Sequence, residues 1–194
     1  MTYWILGVGA VVAVGVSVLI VLGSKGGGST TSAGSLQGLQ ETEAPWQPEY
    51  KFLAERLTAA KIPPPGSEKY HVHGRLSVFI DGKQTPVPNN IGLNQRQASA
   101  LHTHDAEGIM HIEADAPRDV KLSEFFIVWG VKFSKDQIGK YKNESGKTVQ
   151  VFVNGQKVDD PENYLIKPRD DVVVGYGAEG SFPAKPAAEL PKDL

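Results

Sequence analysis

The run from Tyr70 to Ile80 (YHVHGRLSVFI) constrains the fold more than any other stretch of the chain. Val72, Leu76, Val78 and Ile80 fall on one parity, and His71, His73, Arg75 and Ser77 on the other. Neighbouring side chains of an extended chain leave on opposite faces, so this is a strand with one apolar and one polar face. Such a strand needs partner strands and a packed layer over its apolar side. Asp81-Gly82 reads as a hairpin turn, with a short return strand around Val87.

The polar face of that strand opens on an H-x-H, His71-Val72-His73. A second follows in His102-Thr103-His104, with Asp105 next to it, and His111 closes the set. All five histidines of the 194-residue chain therefore lie between 71 and 111. Random placement would crowd them so on the order of one time in a hundred, which makes the clustering a compositional signal. In a strand each H-x-H points both rings to the same side. Ile109 to Ala114 reads as a strand with His111 and Glu113 on one face and Met110 and Ile112 on the other. Ala100 to Thr103 is its partner across a turn at Asp105 to Gly108, which brings His111 across from His102 or His104.

Neutral imidazoles from neighbouring strands are a common way to hold a transition metal on a β scaffold. The expected ligands are His71 and His73 from one strand and His102 and His104 from the next. Asp105 or His111 completes the set or orients a ring through its far nitrogen. Glu113 and Arg75 are expected around these ligands. Arg75 shares the face of His71 and His73, and its charge opposes a dication unless the side chain turns to solvent, Asp105 or Glu113. The competing reading of five histidines is a hydrogen-bonded or pH-sensing network without metal.

The rest of the chain alternates short elements. Glu49 to Ala60 has helical spacing in Leu53, Leu57 and Ala60, and Pro63, Pro64 and Pro65 stop it. Asn89 to Gln97 reads as loop. Lys121 to Gly130 (KLSEFFIVWG) reads as a helix with Ser123 as N-cap, Leu122 and Ile127 as a hydrophobic staple and Gly130 as its stop. Its aromatics Phe125, Phe126 and Trp129 suit packing under a sheet. Ser134 to Gln137 matches a capping box and predicts another helix through Tyr141. Thr148 to Val153 is a strand, Asn154-Gly155 a hairpin turn, Lys157-Val158 the return, and Asp171 to Tyr176 a buried strand. The expected fold class is α+β, mainly β: small antiparallel sheets built from hairpins, with short helices between them.

Residues Tyr3 to Leu22 are uncharged and apolar, long enough at helical rise to cross a bilayer. No Lys or Arg precedes them and no clear cleavage site follows, so an uncleaved anchor is expected rather than a signal peptide. Residues 23–45 read as a flexible Gly/Ser/Thr-rich linker, 46–181 as the soluble domain and 182–194 as a disordered tail. A short N-terminal tail ahead of the anchor suits a single-pass protein with its domain outside the cytoplasm. Lys25 alone argues for the opposite orientation. The formal charge of −2 and pI near 6.2 offer no basic stripe for nucleic acid. The chain has no cysteine, which excludes disulfides, thiolate zinc and blue-copper sites and thiol nucleophiles.

Three motifs resemble a group of largely uncharacterised, membrane-anchored extracytoplasmic proteins of bacteria and archaea. They are His71-Val72-His73, then Leu101 to Glu113 (L-H-T-H-D-x-x-G-I-x-H-I-E), then Leu122 to Gly130 (L-x-x-F-F-x-x-W-G). The resemblance spans Tyr70 to Gly177 and implies a shared fold and location, with no activity to carry over. Other H-x-H metal families differ. Cupins expect a glutamate where Arg75 to Phe79 stand, and secreted copper–zinc dismutases rely on a disulfide. Alpha-type carbonic anhydrases are much longer chains.

Three functions are therefore in view. The first is a tethered protein holding copper or zinc for buffering or for delivery to a neighbouring membrane protein. The second is a hydrolase or hydratase with zinc on three histidines and Asp105 or Glu113 as base. The third is a metal-free interaction module with a histidine pH switch.

Overall fold

The structure, a computed structural model, describes residues 36–67, 69–186 and 188–191 together with Met1. The expected anchor at 3–22 and residues 23–35 of the expected linker lie outside the described residues. No helix among the described residues is long and apolar enough to cross a membrane.

Helix α1 (Leu53–Ala59) precedes strands β1 (Tyr70–Ile80), β2 (Lys83–Thr85), β3 (Leu93–Asn94), β4 (Gln97–Ala98), β5 (Leu101–His102) and β6 (Ile109–Ala114). Helix α2 (Leu122–Trp129) leads to β7 (Phe133–Ser134), β8 (Gln137–Ile138) and β9 (Tyr141–Lys142). The chain continues through β10 (Thr148–Val153), β11 (Gln156–Lys157) and β12 (Asp171–Gly177). The main sheet has the order β11-β10-β12-β1-β6-β5, with β2 also paired to β1.

This is a mainly β domain with short helices, as the alternation requires, but the centre of its sheet departs from the all-hairpin expectation. β1 and β12 run parallel, in the register Arg75↔Asp171 to Ile80↔Tyr176. A hairpin cannot make that pair, and the chain between the two strands has to cross the domain. β12 accordingly reads as a continuous apolar run, with Val172, Val173 and Val174 all fully buried, as a strand covered on both faces must be.

One face of the sheet packs Val72, Leu76, Val78, Met110, Ile112 and Val174 onto α2, whose Phe125, Phe126 and Trp129 are buried as expected. Burial of large aromatics is worth roughly 1.5–3 kcal/mol each, so α2 anchors this layer. Its stop is Gly130, at φ +80°, where a β-carbon would lie 2.6 Å from that of Glu49. α1 docks against the same helix end. The buried Arg56 donates from Nε to the Ile127 carbonyl (2.7 Å), a second donor there beside Gly130 N (3.2 Å), and is paired with Glu49.

Several local expectations fail for identifiable reasons. Ser134 to Tyr141 is not a helix but the three-stranded meander β7-β8-β9. Phe133 pairs with Ile138, so both reach the core from one face, and Gly139 sits at φ +53° against the Trp46 ring. The Ser134 hydroxyl accepts from Asp136 N (3.2 Å) and shapes a turn rather than a cap. The N-cap of α2 is Lys121, without a side-chain bond, while Ser123 donates to the Glu162 carbonyl (2.7 Å). The Leu122–Ile127 staple falls with that assignment. The expected loop at Asn89 to Gln97 contains the small hairpin β3-β4, and the return strand after Asp81-Gly82 ends at Thr85, short of Val87.

Both ends of the expected domain also extend further than composition suggested. Gln40, within the expected linker, donates from its backbone to Gly130 O (2.8 Å) and accepts from Lys132 N (3.1 Å). Phe182, at the start of the expected disordered tail, is buried and stacks on Phe79 with ring centroids 5.9 Å apart. The described part of that tail thus packs on the sheet's second face at Phe79 and Val173, the face that carries the histidines further along β1.

Candidate metal centre

Register places the histidines. β1 and β6 are antiparallel with His73 opposite His111 and His71 opposite Glu113, and β5 sets His102 opposite His111 from the other side. Directly opposed residues of a sheet share a face. His73, His111 and His102 therefore form one row across three strands, with His71 and Glu113 in the row beside it. His104, two residues beyond His102, joins from the turn that follows β5.

The side chains converge. Nε2 of His71 and Nε2 of His73 each lie 3.1 Å from Nδ1 of His111. Nε2 of His102 lies 3.2 Å from Nε2 of His104 and 3.3 Å from Glu113 Oε1, and the same Oε1 is 3.3 Å from His71 Nε2. Two sets of donors result, each within 4.8 Å internally: His102, His104, His111 and Glu113; and His71, His73 and His111. Nitrogens bound to zinc at 2.0–2.1 Å in a tetrahedron stand about 3.3 Å from one another, so the spacing fits a shared ion.

The ring nitrogens of the cluster have partners within hydrogen-bond distance, so hydrogen bonding and metal binding draw on the same atoms. His102 is buried, and its Nδ1 lies 2.9 Å from the Ser99 carbonyl, which can only accept. Nδ1 therefore carries the proton and Nε2 presents a lone pair. That lone pair lies 3.2 Å from Nε2 of His104, which can donate to it in one tautomer, and 3.3 Å from Glu113 Oε1, which is an acceptor. His111 Nδ1 has either one proton or one lone pair, yet two ring nitrogens approach it equally. A cation at this place would meet lone pairs from both donor sets.

Protonation is a poor substitute for that cation. Burial lowers the pKa of His102, partly offset by its hydrogen bond to the Ser99 carbonyl and then by Glu113. Burial followed by repulsion from His71 lowers that of His73. The half-buried His111 is pushed down to about 3 by burial and then by His73, His102, His104 and His71. Near pH 7 these three rings are neutral, the state a metal needs.

Two expected members of the site stand elsewhere. Asp105 is exposed and its carboxylate accepts from Glu107 N (2.9 Å) in its own turn; it joins neither donor set. Arg75 turns neither to solvent nor to Asp105 or Glu113. It makes a bidentate pair with Asp171 on β12 (2.9 and 2.5 Å), both side chains buried, and also donates to the Ala188 carbonyl of the tail. Its charge is thus neutralised on the side away from β6. Glu113, expected around the ligands, lies within one of the two donor sets. Its place was legible, since it shares parity with His111; the Ser99 carbonyl and Asp171 had no local signal. Comparison with protein-family models, curated proteins and solved structures returns no match.

Proposed function

We propose that this protein binds a divalent transition metal, copper or zinc, on the histidine face of its sheet, and buffers the ion or hands it to a neighbouring membrane protein. The anchor at Tyr3–Leu22 and the tether after it would hold the domain beside that partner, outside the cytoplasm. The observation that carries the metal reading is the gathering of five imidazoles and Glu113 into two overlapping donor sets, each within 4.8 Å, in which the buried His102 presents an Nε2 lone pair on a ring whose burial disfavours protonation. Imidazole nitrogen with one carboxylate suits zinc and copper better than calcium or magnesium, which prefer oxygen throughout.

Buffering or delivery is better supported than hydrolysis. Glu113 faces the histidines as a donor and Asp105 is engaged in its turn, so neither is placed as a base. Surface clefts of about 300 and 740 Å³ are lined by residues such as Thr85 and Glu107, or Lys51 and Arg96, and neither lining includes a histidine. His71 and His104 are exposed, which gives an incoming or departing ion a route at the edge of the site.

Native mass spectrometry of the purified full-length chain, stripped with chelator and reloaded with Cu(II) or Zn(II), tests the proposal. Retention of at least one ion per chain after desalting is expected; none retained with either metal refutes it.

A further inference from the structure

Building on the metal-binding reading, we infer that the site holds two metal ions, bridged by strand β6. The donors exceed what one ion takes. A zinc site uses four, whereas five imidazoles and a carboxylate gather here, in two overlapping sets rather than one. Strand order explains the division. β6 lies between β1 and β5, so β1 delivers one H-x-H pair, β5 and the turn after it deliver the other, and β6 delivers the residues between them.

The first ion takes His71, His73 and Nδ1 of His111, whose nitrogens meet at 3.1 Å. The second takes His102, His104 and Glu113, at 3.2 and 3.3 Å. Glu113 is the bridge: its Oε1 is 3.3 Å from His71 Nε2 and equally 3.3 Å from His102 Nε2, one histidine of each pair. His111 belongs to both sets, and its ring stacks over His102 with centroids 5.2 Å apart, so the two positions adjoin. Carboxylate-bridged pairs of ions commonly sit about 3.5–4 Å apart, a separation that a shared Glu113 permits. Counting the shared Glu113, the first ion has four protein donors and the second three, which leaves a position on the second for water or an incoming ligand. The exposed His104 puts that position at the solvent edge.

Titration of the metal-free full-length chain with Cu(II), read by native mass spectrometry and electron paramagnetic resonance, tests this. Two ions per chain are expected, and the second equivalent should diminish the isolated-Cu(II) signal through exchange coupling. The paired variant His71→Ala, His73→Ala and the paired variant His102→Ala, His104→Ala should each fall from two ions to one. Saturation at one ion in the wild type overturns the second position while leaving metal binding intact; saturation at none overturns both. Two ions with additive, uncoupled spectra, or either paired variant falling to zero while its circular dichroism remains that of the wild type, also overturn the bridged pair.

Discussion

His111→Ala is the substitution with the sharpest consequence, because His111 alone among the histidines belongs to both donor sets. A ligand that binds only the folded state stabilises it by RT ln(1 + [L]/Kd), about 2.7 kcal/mol with free metal at 100 times Kd. For a domain of this size each kcal/mol moves Tm by about 2–4 °C, so the wild type should gain about 5–11 °C over the chelated protein. Loss of an outer partner of a ligand already weakens metal sites up to about 100-fold, and loss of His111 itself should cost at least that. Free metal then no longer exceeds Kd, and at most about 0.4 kcal/mol of stabilisation remains. The gain supplied by the ion on His71, His73 and His111 should shrink to about 1–2 °C in thermal unfolding followed by fluorescence, while an ion on His102, His104 and Glu113 keeps its own. Asp105→Ala, which touches neither set, should keep the whole gain. A His111→Ala protein that retains the wild-type gain, or an Asp105→Ala protein that loses it, would refute the placement of the ion.

Further outcomes follow from the same geometry. His73, His102 and His111 are all held below the ordinary 6.5, His111 down to about 3, so between those values the unfolded chain binds protons that the folded chain does not. Their contribution is intact above about pH 6.5 and is lost as pH falls towards 3; urea midpoints in chelator at pH 7 and 4.5 should drop more for the wild type than for His111→Gln, and equal drops would contradict this. Asp171→Ala strands the buried Arg75 and should cost about 3–5 kcal/mol in urea unfolding, much of it recovered by Arg75→Met with Asp171→Leu; a loss below about 1 kcal/mol would mean that water screens the pair. Gly130→Ala must hold a β-carbon at φ +80° and against Glu49, and should lower stability by about 1–3 kcal/mol at an unchanged denaturant slope.

What the residues alone determine is local. Alternation from Tyr70 to Ile80 dictates a strand and puts His71 and His73 on one side, and the parity of His111 and Glu113 does the same for β6. Gly130 marks the end of α2, and Asn154-Gly155 makes the turn between β10 and β11. These features depend on side-chain period and on which residues tolerate positive φ, both carried by a few consecutive positions. Short elements are less legible, because a capping-box pattern such as Ser134 to Gln137 is satisfied equally by a turn once Phe133 and Ile138 find the core.

Tertiary structure decided everything that depends on register between distant segments. The parallel pairing of β1 with β12 gives Arg75 its partner Asp171, about a hundred positions away, and so removes a positive charge that would oppose a metal. The packing of Phe182 on Phe79 covers the C-terminal end of β1 on the face that carries the histidines. Three-strand register brings Glu113 within 3.3 Å of both His71 and His102. A slip of one residue between β1 and β6 would send half of these side chains to the opposite face. Local pattern assigns each residue a face, but only the packed sheet, which minimises exposed apolar area across all its strands at once, chooses which residues on that face become neighbours.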